Sequence, residues 1–497
     1  MANSLSDRSK NSDETIDLPV NPTTPELDQS RLDQIYRKLD RRIIPALWCL
    51  YFLTSFGGAA FGVSLTMNMS QGHSLIQKLN LTSHDTSTAS ALDFVGYIIF
   101  DVPANLIMTR MAPQSWISRI VISVGIVYAC FAAITSAPGL MVARLMSGIC
   151  TAGVWPGMAY YISLWYPSHR TARRIGYYFT AAQVSAAVAG LVSAGFQKMD
   201  GARGLTGYQW MFLVYGTITV TVGISLNWWL PDRPFAREHQ SNNAMARFLD
   251  RLVVKMPHPL NEEERTLHAL DMADRYSKPQ TWGLKELWTV FKDIRIWPLI
   301  MMYFGVVGAG YGLTVAATTI IYNINPNLSS IDLSLLVAPI WLFDLAAIVI
   351  ITPLSDKFKR RRGVVFSLST AIIMAGLFIT TFAKPKWTRY GGLLICGFGL
   401  GPTVPINMTW AAEIFGPRHG DLGTAASAAL VSGLGNLGSV TTTYALYNGW
   451  PSDAARGYRD SNMVMVGILG FSILSAGACT LIRKALGDFK RKEVAYV

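Results

Sequence analysis

Long apolar runs alternate with short polar turns along almost the whole chain, and the runs are close in length to a bilayer crossing. A helix needs about 20 mostly apolar residues to span a membrane. Such runs lie near 43–68, 89–109, 117–136, 140–163, 175–196 and 210–230. A polar stretch over 232–290 follows, and six further runs lie near 296–322, 332–354, 364–383, 390–412, 424–446 and 463–483. The pattern predicts an all-α integral membrane protein with twelve transmembrane helices in two pseudo-symmetric six-helix bundles, over 36–231 and 291–485. Residues 1–35, polar and rich in Ser, Thr, Asp and Pro, predict a disordered tail, and 486–497 a second tail. Inside the central stretch, "LNEEERTLHALDMADRY" has the make-up of an amphipathic surface helix.

Composition agrees with this pattern. Hydrophobic residues make up 51% and charged residues only 15%, against about 25% charged in a soluble domain. The formal net charge of +12 then says where the loops lie. Basic side chains crowd the N-terminal flank (Arg37, Lys38, Arg41, Arg42), the fourth connection (Arg170, Arg173, Arg174), the run "LSDKFKRRRG" at 354–363, and the C-terminal end. Those segments share one side only if every apolar run crosses once, and basic loops stay inside. Both termini and the central segment are therefore expected in the cytoplasm. The opposite loops are sparser, although Lys384, Lys386 and Arg389 sit in one of them. Glycosylation sequons at Asn80 and Asn327 fall in predicted outside loops, whereas a third, at Asn407, lies within a span.

Several chemistries find no support. The five cysteines all lie in apolar stretches without a CxxC pair or a nearby histidine, so no metal site is predicted. No phosphate-binding GxxxxGK[ST], no HExxH and no paired nucleophile and base are present. An enzyme, a resident cofactor and direct ATP-driven pumping are not expected. Nucleic-acid binding is excluded by the twelve spans.

A charge inside a span is expensive and marks function by default. Asp344 stands near the middle of the eighth run, Asp93 and Asp101 in the second, Arg144 in the fourth, and Glu413 at the end of the tenth. Asp344 is a candidate proton carrier, or else an interhelical hydrogen-bond partner of a Ser, Thr or Asn. Arg144 can hold an anionic solute in two-pronged fashion, or cap carbonyls of a neighbouring span. Thr151, Trp155, Gln183, Tyr311 and Asn407 join Arg144 as candidate solute-lining residues by depth and chemistry. Glycines in "GICTAGVWPG", "CGFGLGPTVP" and "SGLGNLGS" allow close helix approach, and Pro156, Pro402 and Pro405 release backbone carbonyls at mid-span.

The six-plus-six plan, the long middle loop and the acidic-then-basic "SDKFKRRRG" after the eighth run resemble the major facilitator superfamily. More narrowly, "RKLDRRIIPAL", "FDVPANLIM", "GVWPGMAYYISLWYPSHRTARR", "GLTGYQWMF", "LPDRP" and "GLGNLGS" resemble the fungal anion:cation symporter branch of allantoate, pantothenate and nicotinate permeases. The resemblance covers approximately residues 35–485. It implies a secondary transporter that imports a small organic or sulfur-containing anion (carboxylate, sulfonate or sulfate), driven by a proton gradient, as a monomer in the plasma or the vacuolar membrane. It also implies a gating role for Asp356, Arg360 and Arg361. Two departures stand out. Gly57 and Gly58 occupy the places of the family's Asp-Arg pair in the first span, and Thr151 replaces its usual Glu in the fourth. Coupling has then either moved, with Asp344 or Asp93 as carrier, or been lost. Export or uncoupled passage of a metabolite or drug is the alternative reading, and a nutrient sensor without transport is a further one.

Overall fold

The computed structural model describes residues 29–234, 259–276, 284–357, 361–447, 450–454 and 456–486. Among them ten helical segments are long and apolar enough to cross a membrane. The second crossing, Ser83–Arg110, carries Asp85, Asp93 and Asp101, and the eleventh is divided between the end of Thr403–Gly435 and Leu437–Ala445.

The first span, Gln29–Ser64, starts earlier than its apolar run. Residues 29–35, expected in the disordered tail, form its first two turns. The reason is spacing: Leu32, Ile35, Tyr36, Leu39 and Ile43 recur at helical intervals and are buried. Residues 1–28 and 487–497 lie outside the described residues. The central segment contributes a helix at Glu262–Tyr276, where the sequence places an amphipathic one. It docks on the first half, with Lys38 Nζ 2.8 Å from Glu264 and His268 Nε2 2.9 Å from the carbonyl of Trp165.

The remaining spans are Pro113–Cys130 (third), Ala137–Thr151 with Val154–Trp165 (fourth), Ser168–Gln197 (fifth), Gly207–Trp229 (sixth), Ile296–Ile324 (seventh), Ser330–Lys357 (eighth), Arg362–Phe382 (ninth) and Arg459–Leu486 (twelfth). The tenth begins at Lys386–Leu400 and continues into Thr403–Gly435. Packing repeats between the halves. The first span packs on the fifth, the second on the fourth and the third on the sixth, as the seventh packs on the eleventh, the eighth on the tenth and the ninth on the twelfth. The contacts between halves repeat too, with the fifth span against the eighth and the eleventh against the second. The apparent exception, the first span against the seventh, joins the two positions that the pseudo-symmetry exchanges.

The fourth and tenth spans break at equivalent places, just before a proline-bearing turn. In the fourth, Gly153 takes φ +82°, a backbone form that side chains rarely adopt. In the tenth the break falls between Leu400 and Thr403. On the face that carries the described ends of the chain, Arg174 grips Asp40 with two nitrogens, at 2.6 and 2.8 Å. The basic run behaves unevenly. Arg360 and the side chain of Asp356 lie outside the described residues, and Arg361 is exposed. Arg362 turns inward and binds both carboxylate oxygens of Glu413, at 2.9 and 2.8 Å. Asn80 and Asn327 are exposed in loops on the opposite face.

Candidate functional site

The repeated packing leaves a cavity of ≈ 230 Å³ between the two halves. Toward the face opposite the termini the halves meet: Gln197 Nε2 donates to Ser334 Oγ at 3.2 Å, and Phe94 and Tyr311 pack edge to face with ring centroids 4.6 Å apart.

Six of the eight candidate residues line this cavity: Asp93, Thr151, Trp155, Gln183, Tyr311 and Asp344. Thr151 spends its hydroxyl proton on the carbonyl of Ser147, 2.8 Å away in its own helix. Trp155 belongs to an aromatic wall, with ring centroids 5.5 Å from Tyr51 and 5.3 Å from Phe179. Such a wall suits a flat or compact apolar body more than a small hydrated ion.

Arg144 and Asn407 are not among the lining residues. Arg144 stands behind the wall, 3.3 Å from Asp93, with Nε donating to the carbonyl of Ala89 and its guanidinium 4.1 Å from the centre of the Phe61 ring. Its guanidinium is thus held inside the first half, with Nη1 buried and without a hydrogen-bond partner among the described residues. Asn407 is fully buried and donates to the carbonyl of Leu299 at 3.0 Å, tying the tenth span to the seventh. Among the described residues that line the cavity there is no lysine, arginine or histidine.

Asp344 is the unusual wall residue. It is 0% exposed, and among the described residues neither carboxyl oxygen has a partner at good hydrogen-bond distance and angle. Its polar neighbour across the interface is Gln183 of the fifth span, whose amide is near enough to interact with the carboxyl and whose Oε1 has no partner among the described residues. The close approach of the tenth span explains the position. A Cβ on Gly401 would overlap both the carbonyl and Oδ1 of Asp344. Two groups from opposite halves therefore face one another with hydrogen-bonding capacity unspent, a costly arrangement in a dry interior.

Sequence reasoning missed much of the first-span wall, including Thr54, Ser55 and the open side of Gly58. The signal was present as two adjacent hydroxyls one turn before a glycine pair. It also missed Tyr128, whose ring takes the space beside Gly57.

Twelve crossings in two repeated halves, broken fourth and tenth spans and a midline cavity make a family-level comparison meaningful. The family description Major Facilitator Superfamily matches residues 47–442. The chain belongs to this superfamily. Vitamin H transporter 1 of Schizosaccharomyces pombe is 45% identical over 92% of this chain and 82% of its own length. A putative tartrate transporter of Agrobacterium vitis is 27% identical over 89% of this chain and 93% of its own. Among solved structures, a bacterial homolog of the human lysosomal transporter Spinster, inward-facing and unoccupied, superposes with a TM-score of 0.63 at 15% identity, covering 89% of this chain and 96% of that one. The proton:xylose symporter XylE gives 0.63 at 13% identity over 89% and 96%. This facilitator is accordingly a multi-pass membrane transporter and not an enzyme.

Proposed function

We propose that this facilitator imports a small organic anion, a monocarboxylate with a compact apolar or ring-bearing body, together with a proton. The observation that carries the reading is the buried carboxyl of Asp344, faced by the neutral Gln183 on a cavity wall that has no basic side chain among the described residues. An ionised carboxylate at such a site is costly, and a solute carboxylate beside it would be costlier. One proton shared between the two removes the repulsion of like charges and leaves a single, hydrogen-bonded negative charge in place of two. Solute and proton then enter the site as a pair, which couples uptake to the gradient without the first-span Asp-Arg pair.

The aromatic wall favours a ring-bearing acid over sulfate or a dicarboxylate, whose second charge would have no cation to meet. The relative named for vitamin H supports this substrate class. Rocking of the halves about the central cavity would alternate access. The basic loops support cytoplasmic termini, a plasma-membrane location is the natural one for import, and the exposure of Asn80 and Asn327 supports their glycosylation. We take the functional unit to be a monomer, since each chain carries a whole cavity.

The test is an uptake panel in cells or vesicles containing the full chain: biotin, nicotinate, pantothenate, allantoate, tartrate and sulfate, with and without a pH gradient. A ring-bearing monocarboxylate should accumulate, faster on acidifying the outside, and a protonophore should abolish the accumulation. Preference for sulfate or tartrate, or accumulation indifferent to the gradient, would overturn the reading.

A further inference from the structure

Each half places a buried carboxyl beside the break in a neighbouring span. In the second half it is Asp344 beside Gly401. In the first half it is Asp101, which is not on the cavity wall and has no part in the proton reading above. Asp101 is 0% exposed. Its Oδ1 accepts the N–H of Gly153 at 3.0 Å, at the residue whose positive φ breaks the fourth span. Its Oδ2 accepts from Ser432 Oγ, 3.4 Å away in the eleventh span, which belongs to the other half.

The two contacts differ in kind. The bond to Gly153 lies within one half, so rigid-body rocking does not itself pull it apart. It fixes the turn that sets Thr151 and Trp155, two residues to either side, on the cavity wall. The contact with Ser432 crosses the interface, so rocking must make and break it. Room for that change is present. Gly433, next to Ser432, has no Cβ, and one built there would stand 3.9 Å from Asp101 Oδ2.

We infer that Asp101 is a positioning residue that links the shape of the solute-binding wall to the approach of the two halves. With Ser432 in contact, the carboxylate is shared between the halves and the Gly153 turn is held in its present form. With Ser432 withdrawn, the carboxylate is free to reorient, and the Thr151–Trp155 wall loosens with it. Solute binding and closure are thereby tied through one side chain that never touches solute. The inference rests on the cavity being the transport site, as proposed above.

The experiment uses the full-length chain with two readouts. The first is uptake kinetics for the best-transported carboxylate, at matched membrane abundance. Asp101→Ala should raise KM about tenfold or more, whereas Asp101→Asn, which keeps an acceptor oxygen for Gly153, should stay within about threefold of the parent. Ser432→Ala, which keeps the Gly153 bond, should change Vmax about threefold or more and raise KM by less than Asp101→Ala does, and should add nothing on top of Asp101→Ala. The second readout needs no solute. With Thr151→Cys in a chain whose native cysteines are replaced, maleimide labelling at position 151 should quicken about fivefold in both Asp101→Ala and Ser432→Ala. A parent KM in Asp101→Ala, an Asn variant as impaired as the Ala variant, independent effects of the two sites, or unchanged labelling would each overturn the inference. If Asp101→Ala does not reach the membrane, labelling in Ser432→Ala and the KM of Asp101→Asn decide. Labelling that quickens as expected in a chain that takes up no carboxylate would support the linkage and overturn the substrate reading instead.

Discussion

Arg144 of the fourth span and Asp93 of the second form an ion pair, nitrogen to oxygen 3.3 Å, and the hydroxyl of Ser147 donates to the same carboxylate. Arg144 is 4% exposed at its side chain and Asp93 21%, so the acid faces the cavity and the base stands behind it. Seen from the cavity, this corner presents a carboxylate already paired with a cation that is not itself among the lining residues. The distinction matters because an arginine that binds solute and an arginine that silences an aspartate predict different double mutants.

Arg144→Ala should reduce uptake about tenfold or more, because it strips Asp93 of its partner and leaves a bare charge at the wall. Adding Asp93→Asn should then restore at least part of the loss, since the pair is removed together and no charge is stranded. Initial uptake rates at matched abundance provide the check. A double variant as inactive as Arg144→Ala alone would mean that the guanidinium itself holds solute.

Asp344→Asn keeps the shape of the side chain while removing the proton it is proposed to carry. Accumulation against a gradient should fall about tenfold or more, and the acid stimulation of uptake should disappear. Exchange of labelled for unlabelled solute should persist, because exchange returns each proton with the solute and needs no net proton movement. The sign is definite: the parent quickens as the outside is acidified, and the variant gives a flat profile. Acid-stimulated accumulation in Asp344→Asn would remove Asp344 from coupling.

Gly57 and Gly58 are neighbours with opposite surroundings. A Cβ on Gly57 would overlap the ring of Tyr128, whereas nothing lies within 4 Å of one on Gly58, which opens on the cavity. Gly57→Ala should therefore destabilise the protein by about 1–3 kcal/mol through overpacking, seen as a lower thermal midpoint in detergent. Gly58→Ala should leave the midpoint unchanged within about 0.5 kcal/mol. The space of the absent acidic side chain has been given to an aromatic ring, so restoring an aspartate at position 57 should be worse still.

The twelve crossings and the six-plus-six plan were legible because lipid demands long apolar runs and fixes their length. The amphipathic central helix was legible through its spacing, and the same spacing at Leu32, Ile35 and Tyr36 was passed over because the surrounding residues are so polar. Depth along a span is also a one-dimensional quantity, and it brought six of eight candidates to one cavity. The direction in which a side chain leaves its helix is not one-dimensional. Arg144 and Asn407 share the depth of the others but point into helix contacts, and only their partners, Asp93 and the carbonyl of Leu299, reveal it. Tyr128 illustrates the same limit from the other side: it fills the place left by Gly57 from two spans away.

Arg361 and Arg362 belong to one basic run, yet they do different work. Arg361 is exposed, while the side chain of Arg362 is 3% exposed and binds Glu413 with two nitrogens, joining the start of the ninth span to the end of the tenth. Removing one member of a buried, two-pronged pair strands the other and costs about 3–5 kcal/mol; the 30% exposure of Glu413 places the effect at the lower end. Arg362→Ala should therefore lower abundance and thermal midpoint, and Arg362→Lys should rescue only partly, because an ammonium cannot match both carboxylate oxygens. Arg361→Ala should be stable, since an exposed surface charge is worth less than about 1 kcal/mol. Thermal unfolding of the purified variants separates the two, and equal loss in both would show that the run acts through its total charge and not through the Arg362–Glu413 bond.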